Sequence, residues 1–218
     1  MTGRRLQSRR TFLGALALFP LVGAGAAFAQ QRARVSYEYQ LIEPQPVPPT
    51  GIEVVEFFWY GCPYCFQLQA PLEAWLKTKP PDVTLRHIPA IFRESWVPHA
   101  RLFYTLEALG ELPRLHQSVY RSMHEERLSL NSADATAEWA KQNGIDAARW
   151  LSTYNSPDID RKVEDSRRAT RSYSIRGTPS LVVDGRYLTS SGMSETVAGV
   201  IPILEDLIRL AREQRATK

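Results

Sequence analysis

The two cysteines of the chain, Cys62 and Cys65, are the residues whose type and spacing most directly indicate chemistry. A disulfide between them would close a very small loop, and a small loop stabilises a fold least. A structural zinc site needs four nitrogen or sulfur ligands, and none of the four histidines stands at zinc-motif spacing beside the cysteines. The pair therefore predicts thiol–disulfide exchange and no metal site.

The flanking segments place the cysteines where a strand ends and a helix begins. Residues 52–59 are β-branched and aromatic, which is typical of a buried central strand. After Cys65 the apolar residues recur at helical spacing, Pro63 suits the first helical turn, and Pro71 is expected to kink the helix. Free amides and the dipole at a helix start stabilise a thiolate, so we expect a lowered pKa for Cys62 and a more buried, less reactive Cys65.

The first 29 residues have the pattern of a cleaved secretory signal peptide. Four arginines and no acidic residue precede an apolar stretch over residues 12–28, which ends in small residues at the cleavage positions. Pro20 and several glycines interrupt this stretch, so it is a weak candidate for a membrane anchor. The segment around Arg9 and Arg10 also resembles the twin-arginine export signal, and the choice between the two export routes stays open. Both routes predict a periplasmic protein, in a compartment where disulfides persist.

The formal net charge of +4 belongs to this signal segment. Four of the 27 basic residues are its arginines, which leaves the rest of the chain with as many basic as acidic residues. A neutral body gives no electrostatic reason to expect binding to nucleic acid. The hydrophobic content of 44% indicates a globular protein with a sizeable core.

The remaining pattern predicts one α/β sheet interrupted by helices. Beside the central strand and its helix, the expected elements are an edge strand (residues 37–42), a second strand (83–88), a long helical stretch (92–161), a hairpin (180–188) that turns at Asp184-Gly185, and a final amphipathic helix (194–212). A sheet interrupted by an all-helical stretch is a single α/β domain with an insertion.

Two motifs resemble the DsbA family of periplasmic thiol:disulfide oxidoreductases. They are FFWYGCPYC at residues 57–65 and RGTPSLVVDGRY at residues 176–187, and the resemblance spans essentially the whole mature chain. It implies an α/β thioredoxin fold with an inserted all-helical subdomain. The implied division is a signal peptide (1–29), a first thioredoxin-like part (30–92), a helical insertion (93–162) and a second thioredoxin-like part (163–218).

The resemblance also implies roles for individual residues. Cys62 is expected to be the nucleophile and Cys65 the resolving cysteine. Pro179 is expected to be a cis-proline that faces the redox pair and leaves the backbone of the preceding residue free to bind an extended substrate. The residues expected to bind clients are Trp59, Tyr64, Thr178 and Pro179, and those expected to tune the redox potential are Pro63 and Tyr64.

Glu56 is a carboxylate within an apolar strand, where burial without a purpose would be costly. It matches the position of an acidic residue that assists proton transfer to the buried cysteine in the resembled family. The alternative is that Glu56 points to solvent at a strand edge. Arg86 and His87 are near the position where the family often has a basic residue on the neighbouring strand.

The motif departs from the family pattern at two positions. Tyr64 stands where histidine is typical, so a donor or positive charge that would stabilise the Cys62 thiolate is missing, and Cys-Pro-Tyr-Cys is instead the motif of glutaredoxins. Because of Tyr64, we expect an oxidant that is weaker than the relatives with histidine. At the second position, Thr178 stands where many members have valine.

The resulting hypothesis is an enzyme that introduces disulfide bonds into exported proteins through Cys62 and Cys65. Its expected partners are reduced, unfolded client proteins and a membrane quinone reductase of the DsbB type that reoxidises it, and it is expected to be a monomer without a cofactor. One alternative is a periplasmic disulfide isomerase or reductase, which usually dimerises through an extra N-terminal domain; the roughly 22 residues between Gln30 and the central strand are too few for one. The other alternative is a non-catalytic binding or chaperone protein in which the two cysteines form a static disulfide.

Overall fold

The computed structural model describes residues 38–217, which fold around a five-stranded mixed sheet. The strands are β1 (Gln40–Leu41), β2 (Ile52–Phe58), β3 (Val83–Pro89), β4 (Ser180–Val183) and β5 (Tyr187–Ser190). Their order across the sheet is β1-β5-β4-β2-β3, in which β2 runs parallel to β3 and antiparallel to β4. The predicted signal peptide at residues 1–29 lies outside the described residues.

Seven helices accompany the sheet within residues 38–217. They are α1 (Pro63–Thr78), α2 (Val97–Leu109), α3 (Leu112–His124), α4 (Ala133–Gln142), α5 (Ala147–Tyr154), α6 (Pro157–Ser172) and α7 (Val200–Ala216). Helices α2 to α6 all lie between β3 and β4 in the chain, so the sheet is interrupted by a helical insertion. The domain boundary predicted after residue 162 falls within α6.

Strand β2 is buried because each of its faces has a helical or sheet partner. Alternation along a strand sends neighbouring side chains to opposite faces. Val54 belongs to an apolar cluster with Leu68 of α1 and Leu204 of α7. Val55 belongs to a second cluster on the other face with Tyr173, which follows α6. Burial on both faces explains why the strand shows no polar alternation in sequence.

Helix α1 starts directly after Cys62, whose backbone is extended, and Pro63 occupies the first helical turn. Proline is suited to this turn because its missing N–H would have no intrahelical partner there. Pro71 lies inside α1, and the helix continues past it to Thr78.

Side-chain caps stabilise the first turns of three helices in the insertion. The Ser132 hydroxyl accepts a hydrogen bond from Ala135 N at the start of α4, and Asp146 and Ser156 cap α5 and α6 in the same way. Gly110 ends α2 with a φ of 75°, a left-handed conformation that glycine adopts readily.

The two terminal elements are shorter than the sequence predicts. Only Gln40–Leu41 of the predicted edge strand pairs with β5. The final helix begins at Val200 rather than at residue 194. The Ser194 hydroxyl donates to the carbonyls of Ser191 and Thr196, and such local side-chain bonds compete with helix formation.

The insertion helices share one apolar core with the beginning of α1. This core, called the insertion core below, contains Cys62 and Cys65 together with apolar side chains of β2 and of helices α2 to α6. Phe58, Phe103 and Tyr120 meet within it. The ring centroid of Phe58 lies 5.2 Å from that of Phe103 and 6.2 Å from that of Tyr120. The end of β2, the start of α1 and the insertion are therefore packed as one unit. No helix among residues 38–217 is long and apolar enough to cross a membrane.

Candidate active site

Cys62 directly precedes α1 and Cys65 lies in its first turn, and both are free thiols in this structure. Cys62 retains 7% of its surface exposed, whereas Cys65 has none. The Cys62 N–H donates to the Trp59 carbonyl at 2.9 Å, which fixes the turn between β2 and α1. An incoming sulfur atom can therefore reach Cys62 but not Cys65.

The surroundings of Cys62 lower its thiol pKa from 9.0 to about 6. The main cause is a hydrogen bond from the Cys65 thiol, and bonds from the Thr178 side chain and from backbone N–H groups of Tyr64 and Cys65 add to it. Burial opposes this change. The donors outweigh burial, so Cys62 is largely a thiolate at neutral pH. The Thr178 carbonyl lies 3.2 Å from Sγ and accepts a hydrogen bond from the thiol when it is protonated.

The surroundings of Cys65 act in the opposite direction. Burial raises its thiol pKa well above the ordinary value, and the nearby charges of Cys62 and Glu56 raise it further. The two cysteines are thus strongly unequal, with one exposed sulfur that ionises readily and one buried sulfur that holds its proton. This is the inequality that the position at a helix start predicts.

The Thr178–Pro179 peptide bond is cis, as the resemblance implied, and it adjoins the cysteine pair. The Thr178 carbonyl makes the 3.2 Å contact with Cys62 Sγ across 116 residues of sequence. A groove of about 720 Å³ runs beside this contact and is lined by Tyr64, Thr178 and Pro179 among others. Tyr64 is 55% exposed, so it offers an aromatic surface beside the reactive sulfur.

Trp59 occupies a different position from the other expected client-binding residues. It is not among the residues of the described chain that line the groove. Its ring stacks on Trp96, with centroids 4.1 Å apart, and its Nε1–H donates to His99 Nδ1 at 2.7 Å. Burial lowers the His99 pKa to about 4, so this histidine is a neutral acceptor. Trp59 is therefore held by Trp96 and His99, with its ring against Gly61 in the turn that precedes Cys62.

Glu56 is completely buried, which excludes the solvent-facing alternative. It pairs in the sheet with His87 of β3, and His87 Nδ1 lies 2.6 Å from Glu56 Oε2. Glu56 Oε1 has no hydrogen-bond partner among residues 38–217. Arg86, the residue before His87, points to the other face and pairs with the largely buried Glu53 carboxylate. Of the two basic residues considered on β3, His87 is the one at the site.

Sequence reasoning missed the part that the other histidines play around the active-site turn. His116 Nδ1 is hydrogen bonded to the Tyr60 hydroxyl at 2.8 Å, and His124 Nε2 donates to the Tyr60 carbonyl at 2.8 Å. These contacts join residues more than 50 positions apart, which no local pattern reveals. The available signal was the spacing of His116, Tyr120 and His124, which are four residues apart and lie along one face of a helix. Among the described residues, no group of three or more His, Cys, Asp or Glu side chains is arranged to hold a metal ion.

Comparison with known proteins gives consistent similarities in sequence and structure. The family model of the DSBA-like thioredoxin domain matches residues 53–201. The chain is 37% identical over 208 residues to the thiol:disulfide interchange protein DsbA of Bordetella pertussis, covering 93% of this chain and 98% of that protein. It is 30% identical over 210 residues to the DsbA of Burkholderia cepacia, covering 94% and 99%.

The solved structures agree with the sequence relatives. The crystal structure of Pseudomonas aeruginosa DsbA superposes with a TM-score of 0.78 at 33% identity, covering 83% of this chain and 95% of that one. The structure of DsbA from Xylella fastidiosa gives a TM-score of 0.75 at 28% identity, covering 81% and 96%. The thioredoxin fold with a helical insertion, expected from the sequence, is confirmed.

Proposed function

The chain belongs to the family of DSBA-like thioredoxin domains, and from this premise we propose that it introduces disulfide bonds into client proteins by exchange at Cys62 and Cys65. It is a thiol:disulfide oxidoreductase, as its relatives are. The observation that carries the assignment to these two residues is their inequality, in which the Cys62 pKa is about 6 and the Cys65 pKa is raised.

The proposed reaction starts from the oxidised enzyme, in which Cys62 and Cys65 form a disulfide. A client thiolate attacks Cys62 Sγ, a new sulfur–sulfur bond forms, and the Cys65 sulfur leaves with the electron pair. Cys65 then takes up a proton. A second client thiolate attacks the client sulfur of the mixed disulfide, forms the client disulfide and releases Cys62 as a thiolate. The client has lost two electrons and the enzyme has gained them.

Cys65 acts as the resolving cysteine in the reverse direction. When a client offers no second thiol, Cys65 attacks Cys62 Sγ, restores the enzyme disulfide and releases the client in its reduced form. Cys65 must lose its proton for this attack. The buried thiol is therefore protonated or deprotonated in each half of the cycle.

Thiolate stabilisation gives this chemistry its direction. The Cys62 thiolate is the product of enzyme reduction, and hydrogen bonds that stabilise a product make its formation more favourable. The donors around Cys62 thus favour transfer of the disulfide from enzyme to client. A reductase requires the opposite, namely a disulfide form that is favoured over the reduced form.

The groove beside the cysteines supports a mode of client binding. An extended client chain would hydrogen bond to the backbone of Thr178 and lay apolar side chains along Tyr64 and Pro179, which line the groove. Backbone recognition suits unfolded clients, because they present main chain and apolar side chains rather than a fixed shape. Trp59 would support this surface by packing against Gly61 in the active-site turn.

The finer cellular setting is also part of the proposal. We place the mature chain in the periplasm as a monomer, exported by means of residues 1–29. The reduced enzyme would be reoxidised by a membrane quinone reductase of the DsbB type. The support for this setting is the arginine-rich, apolar start of the sequence together with the family relationship.

Two cysteine variants test the assignment together. With an unfolded client that still carries disulfide bonds, Cys65→Ser should accumulate a covalent adduct: the Cys62 thiolate attacks a client disulfide, one client sulfur leaves as a thiolate, and Cys65 is no longer present to expel the client from Cys62. Cys62→Ser should form no adduct and should show no oxidation of client thiols. The adduct is measured by non-reducing electrophoresis and by its loss on treatment with dithiothreitol.

Client choice separates the alternatives. Wild-type enzyme should oxidise a fully reduced client faster than it rearranges a scrambled one. Faster recovery of native client from the scrambled form would favour an isomerase. Client oxidation by Cys62→Ser at the wild-type rate would overturn the proposed function.

A further inference from the structure

The groove beside the redox pair is lined by two segments that each contribute one charged side chain. The segment with Thr178 and Pro179 contributes Arg176, and the segment that connects β5 to α7 contributes Glu195. Among the described residues that line the groove, these two are the only charged ones. The groove is therefore an otherwise uncharged surface with one positive and one negative group.

No salt bridge among residues 38–217 neutralises either charge. Arg176 and Glu195 are both exposed, and neither takes part in an ion pair of the described chain. Arg215 of α7, by contrast, is paired with Asp184 at the hairpin turn. A charge that is unpaired at a concave surface attracts a ligand group of opposite sign and raises its rate of encounter.

The backbone at Arg176 is held close to the reactive sulfur. Arg176 stands two residues before Thr178, so at most about 7 Å of chain separates their Cα atoms. The Thr178 carbonyl in turn lies 3.2 Å from Cys62 Sγ. Ile175, on the other side of Arg176, is buried, and its N–H donates to the Thr170 carbonyl at 3.1 Å. A client segment whose cysteine reaches Cys62 therefore passes within reach of the guanidinium.

The backbone at Glu195 is held by its neighbours in the loop. The Ser194 hydroxyl donates to the carbonyls of Ser191, at 3.3 Å, and Thr196, at 2.8 Å. The Gly199 N–H donates to the Thr196 hydroxyl at 3.0 Å. The loop thus presents its carboxylate to the groove from a hydrogen-bonded turn.

We propose that the groove selects client segments by charge, with Arg176 recognising an acidic side chain and Glu195 a basic side chain near the client's reactive cysteine. The proposal rests on the proposed function and names the class of segments that react fastest. An extended chain directs neighbouring side chains to opposite sides, so one segment can present a charge to each of the two lining segments. Its apolar side chains would pack on Leu188 and Val197, which also line the groove.

The two charges act on recognition and leave the sulfur chemistry as it is. A guanidinium binds a carboxylate through two parallel hydrogen bonds, so Arg176 favours an acidic side chain over an amide of the same shape. A contact between exposed charges is weak, and it typically changes a binding or rate constant by about two- to fivefold. The effect is therefore a preference among clients rather than a requirement.

The test follows the oxidation of short dithiol peptides by an excess of the oxidised enzyme. Each peptide carries two cysteines with identical flanks, so the first attack on Cys62 meets the same residues whichever cysteine reacts. One flanking position at a time is Glu, Gln or Lys, from three residues before to three residues after the cysteine. For wild type we expect one position at which Glu reacts faster than Lys and another at which Lys is faster, each by about two- to fivefold.

Exchanging the two charges separates recognition in the groove from other effects. Arg176→Glu combined with Glu195→Arg keeps the net charge and should reverse both preferences. Comparison of one peptide across enzymes cancels the effect of the peptide's own charges on its thiols. The matched control exchanges two exposed charges outside the groove, Arg149→Glu with Glu205→Arg, and should keep the wild-type order. Added salt should weaken both preferences, because ions screen exposed charges.

The outcomes are distinct. Equal rates for Glu and Lys at every position, or preferences that the groove exchange leaves unchanged or the control exchange alters equally, would overturn the inference and leave oxidation at Cys62 intact. Failure of wild-type enzyme to oxidise even the Gln peptides would instead overturn the proposed function. Gln peptides also report whether each variant keeps an intact site. If the double exchange does not fold, Arg176→Gln and Glu195→Gln should each abolish one preference, and retention of both would refute the proposal.

Discussion

The reactivity of Cys62 depends on its immediate hydrogen-bond donors. Reference cases give a thiol pKa of about 3.5 for a strongly oxidising DsbA and about 7 for thioredoxin, with potentials near −120 mV and −270 mV. The value of about 6 for Cys62 lies between them. The donors are sulfur, hydroxyl and backbone groups, whereas Tyr64 contributes only its backbone amide. We therefore expect a potential between the two reference values.

Tyr64→His should make the enzyme a stronger oxidant. An imidazole at this position adds a donor and a positive charge near the Cys62 thiolate. A decrease of one unit in the thiol pKa corresponds to about 1.4 kcal/mol, or roughly 30 mV for this two-electron couple. Equilibration with glutathione buffers measures the potential, and Tyr64→Phe is the control that should stay within about 10 mV of wild type. A potential for Tyr64→His equal to or below that of wild type would refute the argument.

The turn between β2 and α1 holds the reactive sulfur through packing as well as hydrogen bonds. Trp59 is fixed on both sides, by the stacked Trp96 ring and by the hydrogen bond to His99. Gly61 lies against this ring, and a Cβ atom there would stand 2.3 Å from the nearest ring carbon. The turn thus needs glycine because the Trp59 ring, which is held by Trp96 and His99, fills the space.

Gly61→Ala should destabilise the protein by about 1–3 kcal/mol, the usual cost of overpacking. It should also displace Trp59, which is visible as a change in tryptophan fluorescence of the folded protein. Gly177→Ala is the matched control, because a Cβ at Gly177 meets nothing within 4 Å and the backbone there is not left-handed. Urea unfolding gives both values; equal stabilities of the two variants would contradict this account of the turn.

The sequence could predict the elements that depend on local pattern. The apolar run of β2, the Pro63 start of α1 and the Asp184-Gly185 turn are local signals, and the structure has all three. The start of the last helix was predicted too early, because serine and threonine side chains bond to the local backbone before Val200. The Glu56–His87 pair depends on the register of β2 against β3, which neither strand specifies alone. The contacts of His116 and His124 with Tyr60 could not be predicted for a similar reason, because they join residues that are distant in the sequence.

The redox state of the active site should affect the stability of the whole molecule in a pH-dependent way. The folded-state pKa of Cys62 in the reduced form is depressed to about 6 from 9.0. A depressed pKa adds stability that is fully present above the unfolded-state value and is lost as the pH falls through the folded-state value. The oxidised form lacks this titrating group. The raised pKa of Cys65 has no effect in this range, because that thiol stays protonated in the folded protein and, below pH 9, largely so in the unfolded chain.

The stability of the reduced form should therefore increase relative to that of the oxidised form as the pH rises from about 6 to 9. Urea unfolding of both forms at a series of pH values measures this difference. Reduced Cys62→Ser should lose the increase, since it retains only Cys65. A difference that stays constant or shrinks over this range would show that Cys62 is not stabilised as a thiolate.

The insertion core has a consequence for oxidative damage. Cys65 has no exposed surface, and part of its cover, including Tyr120, comes from helices that are more than 30 residues away in the chain. Peroxide converts an accessible thiolate into sulfenic and then irreversible sulfinic acid, and both thiolate character and access control this reaction. Without the inserted helices, the second sulfur would lose part of its cover against such oxidants. The inserted helices thus shield Cys65, while Cys62 is the one of the two sulfurs that faces the surroundings.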